Sequence, residues 1–200
     1  RRHLSQFGIM KNFAQLVYSL DQTTKTNKKI DLLVSFFSNA SSSDKLWCIA
    51  LFSGRRPKRL ISTKYLRQWA CEETNLPTWL LEDTYSVVGD LAETISLLTQ
   101  EKNQISTKSL TSWISELRQL ENEGLEEKRD FVTNAWSTLN RQERIVFNKL
   151  ITGGFRLGVS QKFTIRALSK VTKIDQFELS LRLMGNWHPD TISWSSLIIN

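Results

Sequence analysis

The stretch NRQERIVFNKLITGGFRLGVSQK, residues 140–162, carries the start and stop signals of two consecutive helices. Asn140 followed by Glu143 matches a capping box, in which the cap side chain and the third helical residue satisfy each other's free amides. The helix that they open ends near Ile151, and a second helix begins near Ser160 after a glycine-rich turn. The stretch therefore predicts two helices joined by a short turn.

Helical periodicity continues outward from this stretch along most of the chain. Apolar residues recur at intervals of three and four, and no alternating strand pattern of useful length appears. Further boundary signals are a second capping box at Asp175 and Glu178, a first-turn proline at Pro77, and glycines at helix ends, Gly54 and Gly89. The sequence predicts an all-α, compact multi-helix fold of about ten or eleven helices. The large aromatic side chains, Trp79 among them, are expected mainly in the core.

Chain length and composition are those of a soluble globular protein. The chain has 200 residues, 40% of them hydrophobic and 24% charged, which fits one domain or two small ones. No stretch reaches the roughly 18 apolar residues of a membrane helix, and the N-terminus lacks the apolar core of a signal peptide. We expect a cytoplasmic protein whose domain covers residues 10–200, with residues 1–9 as a vector-derived remnant before Met10.

Few residues suit metal or hydrolytic chemistry. Cys48 and Cys71 lack CxxC spacing and are expected to be buried thiols, and only two histidines are present. Asp90 and Glu93 fit a helix cap better than a catalytic pair, and two carboxylates alone make a poor magnesium site. The sequence therefore predicts neither catalytic residues nor a metal site in this chain.

Positive charge is in excess and unevenly distributed. The formal net charge is +7, and the excess survives if Arg1 and Arg2 are set aside, which suggests a polyanionic partner. Seven cations and no carboxylate lie between Asp44 and Glu72, while residues 141–173 contain eight cations and one carboxylate. The largely acidic segment 116–130 separates them. This pattern predicts two basic contact surfaces and one solvated acidic face.

The first basic block centres on a turn between two helices. The turn SGRRPKR, residues 53–59, crowds four cations around Pro57. Such crowding is repulsive unless an anion binds, so we predict contacts to phosphates, the alternative being a solvated basic turn. The predicted contacts are Arg55, Arg56, Lys58 and Arg59.

The second basic block contains the glycine-rich turn 152–162. Three glycines permit close approach to another surface, and the amides of the following helix favour a phosphate. The spacing imitates an NTPase phosphate loop, but Val159 stands where that motif requires lysine, so nucleotide binding is not expected. The alternative is that the glycines serve only as helix caps. The predicted contacts are Gly153, Gly154, Arg156, Gly158, Ser160 and Lys162.

Three motifs together resemble the N-terminal DNA-binding domain of ATP-dependent DNA ligases, in particular the bacterial ones that carry such a domain. The motifs are GRRPKR at residues 54–59, GDLAET at 89–94 and GGFRLGV at 153–159; LMGNWHP at 183–189 looks like the exit toward the adenylation domain. The resemblance implies a helical domain that grips nicked duplex DNA in the minor groove, without sequence specificity. Adenylation and OB-fold domains would be its partners in the parent chain, which would serve DNA replication, repair and recombination.

The lysine of the ligase K-x-D-G motif, which forms the covalent AMP intermediate, is not found in this sequence. KIDL at residues 29–32 and KIDQ at 173–176 match only in part because both lack the glycine. We therefore expect a domain that is inactive alone and binds no cofactor, within a parent enzyme that uses ATP and magnesium. A helical protein-interaction module and an RNA-binding helical domain are the alternatives.

Overall fold

A computed structural model describes residues 9–100 and 105–199, and within these ranges it contains helices and no β-strand. The predicted all-α fold is thus confirmed. The proposed remnant, residues 1–9, lies outside the described residues except for Ile9. No helix in the described ranges is long and apolar enough to cross a membrane. The α-helices are α1 (Met10–Asp21), α2 (Thr26–Asn39), α3 (Ser42–Phe52), α4 (Thr63–Thr74), α5 (Thr78–Val88), α6 (Leu91–Leu98), α7 (Leu110–Gln119), α8 (Leu125–Thr138), α9 (Arg141–Thr152), α10 (Gln161–Thr172) and α11 (Gln176–Met184).

The chain divides into two compact units. The first unit contains the chain up to Arg56, the short segment Lys108–Thr111 and everything from Phe155 onward. The second contains Pro57–Thr107 and Ser112–Gly154. Both predicted phosphate-binding turns contain a point where the chain passes from one unit to the other.

The first unit is built on α2, which packs along α10 and against α1. Phe13 of α1 occupies its centre, with its ring centroid 5.9 Å from that of Phe36 and 5.8 Å from that of Phe52. The carboxylate of Asp44 in α3 accepts hydrogen bonds from the hydroxyl and the amide of Thr111, at 2.6 and 3.0 Å. These contacts fix α3 and the first residues of α7 within the unit.

The second unit is built on α6 packed against α9, with α4 contacting α5, α6 and α8. Its interior combines aromatic packing with buried polar bonds. The ring centroids of Trp113 and Phe147 are 5.5 Å apart. Asn148 accepts a 2.7 Å hydrogen bond from the indole N–H of Trp136 and donates to the Ser96 hydroxyl at 3.1 Å. Since buried polar groups are costly without partners, this network specifies how α6 meets α9.

The helix ends test the boundary signals. The capping box of Asn140 and Glu143 is complete, with both reciprocal hydrogen bonds at 3.0 Å. Asp175 also caps its helix, but its carboxylate accepts from the Phe177 amide at 2.8 Å and the Glu178 side chain pairs with Arg182, so the predicted capping box is wrong. The core position expected for Trp79 is wrong as well, since its side chain is 68% exposed on α5.

Candidate nucleic-acid interface

Two of the four predicted cations in the first basic turn belong to the first unit. Arg55 is half-buried: its guanidinium donates to the Gly185 carbonyl at 3.1 Å and lies 4.5 Å from the centroid of the Trp187 ring. Arg55 therefore fixes the end of α3 to the segment after α11, which restricts its freedom to reach a phosphate. Arg56, the next residue, is exposed.

The other two cations lie in the second unit and are exposed. Lys58 pairs with Glu121, and its hydrogen bond and charge lower the pKa of that carboxyl. To bind DNA, Lys58 would have to exchange this carboxylate for a phosphate. Arg59 donates to the Thr152 carbonyl at 2.8 Å, beside Gly153. The second unit thus holds Arg59 at the end of α9.

Gly153 and Gly154, also in the second unit, have different roles. Gly153 adopts a φ of +87° and caps α9, donating its amide to the Lys149 carbonyl at 2.7 Å. This is the helix-cap role named as the alternative, and it favours glycine because other residues rarely adopt that conformation. A side chain at Gly154 would meet open space.

In the first unit, the turn after Gly154 is anchored on both sides of an exposed arginine. The Phe155 ring lies 5.9 Å from that of Phe13, and Leu157 is buried. Arg156 projects between these two anchors and makes no hydrogen bond or ion pair within the part of the chain that the structure describes. The turn therefore presents a cation to solvent on a fixed backbone.

A buried lysine that sequence reasoning did not assign to the site holds this turn in place. The Lys29 ammonium, in α2, donates to the carbonyls of Leu157 at 2.7 Å and Gly158 at 3.2 Å. Gly158 has a φ of +60°, and a Cβ there would lie 2.8 Å from the same nitrogen. The conformation therefore favours glycine, and any larger residue would also require the Lys29 ammonium to shift. The sequence signal that could have indicated this role is the position of Lys29 next to the apolar stripe of α2.

The start of α10 completes this side of the candidate interface. The Ser160 hydroxyl caps α10 by accepting from the Phe163 amide at 3.4 Å. Lys162 is exposed and, within the described residues, makes no hydrogen bond or ion pair. Gln161 and Thr164 line a small cleft together with Arg55. The first unit thus places one cation of the first turn beside the helix that follows the second turn.

The charge pattern predicted that the second basic block forms one contact surface, and this prediction is wrong because two of its cations are buried. Arg144 is only 4% exposed and donates to the carbonyls of Leu139, Ser96 and Thr99 at 2.8, 3.3 and 3.1 Å. Lys149 is also buried and pairs with Asp90 at 2.9 Å. The other oxygen of Asp90 accepts from the Glu93 amide, so its predicted capping role is confirmed.

These features define an all-helical domain with exposed cations on two turns that join compact units. Residues 10–169 match the family model described as DNA ligase N terminus, and the chain belongs to that family. A probable DNA ligase of Dictyoglomus turgidum is 25% identical over 164 residues, which cover 78% of this chain. The match covers only 28% of that relative, so the chain spans well under half of the relative's length.

Proposed function

We propose that this domain binds duplex DNA around a nick, without sequence specificity, through the sugar–phosphate backbone and the minor groove. The observation that carries the proposal is the anchored turn 155–158. Phe155, Leu157 and the Lys29 ammonium fix its backbone, while Arg156 is exposed and has no hydrogen-bond or ion-pair partner among residues 9–100 and 105–199. A cation on a preorganised backbone binds a phosphate with little loss of backbone freedom, and phosphate contacts position a protein without reading bases.

We also propose that the domain acts within an ATP-dependent DNA ligase. The parent enzyme would join 5′-phosphate to 3′-hydroxyl ends with ATP and magnesium, using adenylation and OB-fold domains that encircle the nick with this one. Membership of the DNA ligase N-terminal family and the likeness to part of a probable DNA ligase support this proposal.

Salt dependence tests the two turns. We expect Arg56→Ala and Arg156→Ala each to reduce the slope of log affinity against log salt by roughly 1, equally on unrelated duplex sequences. Each variant loses one phosphate contact, so fewer counterions are released on binding. The measurement is fluorescence anisotropy with labelled nicked duplexes between low and moderate salt.

Lys11→Ala, which removes an exposed cation from α1, is the matched control and should keep the wild-type slope. Folded Arg56→Ala and Arg156→Ala variants with wild-type slope and affinity would show that the turns are purely structural. A preference for duplex RNA over nicked DNA would favour the RNA-binding alternative, and absence of nucleic-acid binding would favour the protein-interaction module.

The isolated chain is expected not to form an enzyme-adenylate. Both partial K-x-D matches lack the glycine of the motif. Lys29, in α2, donates to the carbonyls of Leu157 and Gly158, and Lys173 ends α10 with a φ of +64°. Incubation with radiolabelled ATP and magnesium, followed by denaturing electrophoresis, should leave the protein unlabelled. Label bound covalently to a lysine would contradict this expectation.

A further inference from the structure

The solvent-facing side of α10 is a row of cations. Lys162, Arg166 and Lys170 follow one another at intervals of four residues, with Lys162 and Lys170 exposed and Arg166 half-buried, and the exposed Lys173 is the C-terminal cap residue of the helix. Residues four apart lie on the same face of an α-helix. The opposite face is buried, and α10 itself contains no acidic residue. α10 therefore has one face in the first-unit core and one uniformly basic face.

Within the described residues, little compensates this charge. Lys162 and Arg166 make no hydrogen bond or ion pair there. Lys170 lies 3.5 Å from Asp31 of α2, but both side chains are more than half exposed, and such surface pairs are weak. Like charges four residues apart destabilise a helix. A row with two such like-charge pairs is unfavourable in the free protein and becomes favourable beside a polyanion.

We propose that this row, the α10 rail, binds successive phosphates of one DNA strand and extends the contact surface beyond the turn at Arg156. This proposal rests on the proposed function, because the ligand of the rail is the same DNA duplex. From Lys162 to Lys173 the rail spans about 16 Å at 1.5 Å per residue. Phosphates of one strand are about 3.4 Å apart along the duplex axis, so the rail is long enough to follow several. Arg156 precedes the rail by six residues, and no acidic residue lies between it and Lys162.

The test is the double variant Arg166→Gln/Lys170→Gln, with duplex binding measured against salt. Gln keeps helix propensity and removes both like-charge pairs, so the melting temperature should be unchanged or higher. The log–log salt slope should fall by roughly 2, on every duplex sequence alike. Hydroxyl-radical footprinting on a nicked duplex should also show protection shortened at one end of one strand. Charge reversal, Arg166→Glu/Lys170→Glu, should enlarge both effects.

The matched control is Lys11→Gln/Lys128→Gln, which removes the same charge from α1 and α8. It should change the slope by clearly less than the α10 variant and leave the footprint intact. A folded α10 variant with the same salt slope and footprint as this control would contradict the proposal that the rail binds DNA. If Arg56→Ala and Arg156→Ala still lower the slope in that case, the proposed function stands without the rail. If the wild-type chain binds no duplex at all, both the proposed function and the rail are lost.

Discussion

Replacing Arg144 by Met is expected to lower the free energy of unfolding by about 3 kcal/mol, because buried carbonyls lose a charged donor and no water can replace it. The guanidinium donates to Leu139, at the end of α8, and to Ser96 and Thr99, at the end of α6. Cations stabilise helix C-termini, so the substitution removes an interaction with the α6 dipole as well. Thermal unfolding followed by circular dichroism should show a midpoint lower by roughly 10 °C.

Arg141→Met is the matched control, since Arg141 is one turn earlier in α9 and exposed. Its free energy of unfolding should remain within about 0.5 kcal/mol of the wild-type value. The Arg144 variant should bind duplex DNA with the wild-type salt slope at temperatures where it remains folded, because a buried cation contacts no phosphate. A wild-type unfolding midpoint for Arg144→Met would refute the structural role of this side chain.

Replacing Lys29 by Met should both destabilise the first unit and weaken DNA binding. The loss of two charge-assisted hydrogen bonds, one of them to the carbonyl of the buried Leu157, is expected to cost about 2 kcal/mol. Without them the turn that presents Arg156 is no longer fixed, so ordering it on binding should reduce affinity. Because Lys29 itself contacts no phosphate in this proposal, the salt slope should stay at the wild-type value.

Lys28→Met provides the control for this effect, since Lys28 is the adjacent residue of α2 and is exposed. Gly158→Ala should disturb the same hydrogen bonds from the side of the turn. Its Cβ would displace the Lys29 ammonium, and the φ of +60° disfavours alanine. It too should weaken binding at constant slope. A slope reduced by roughly 1 in the Lys29 variant would instead show that this lysine reaches a phosphate directly.

Local chemistry alone determined the helices and many of their ends. The capping box of Asn140 and Glu143 and the left-handed glycines Gly89 and Gly153 are set by residues within one turn of the boundary. Apolar periodicity fixed which face of most helices is buried, because burial of a whole stripe is a property of one helix and its sequence. The sequence motifs likewise sufficed for the DNA ligase N-terminal family. Local signals were misleading for the capping role of Glu178, which pairs with Arg182, and for the core position of Trp79, which is exposed.

The tertiary structure decided which cations remain available to a ligand. Arg144 donates to carbonyls 45 and 48 residues away, and Lys29 to one 128 residues away, so both buried charges have acceptors that their local sequence does not contain. Arg156 and Lys162 stay exposed because the described packing offers them no acceptor. A long cationic side chain is as compatible with water as with a distant carbonyl, and its local sequence is the same in both cases. Its position is therefore set by which backbone carbonyls the fold brings within reach.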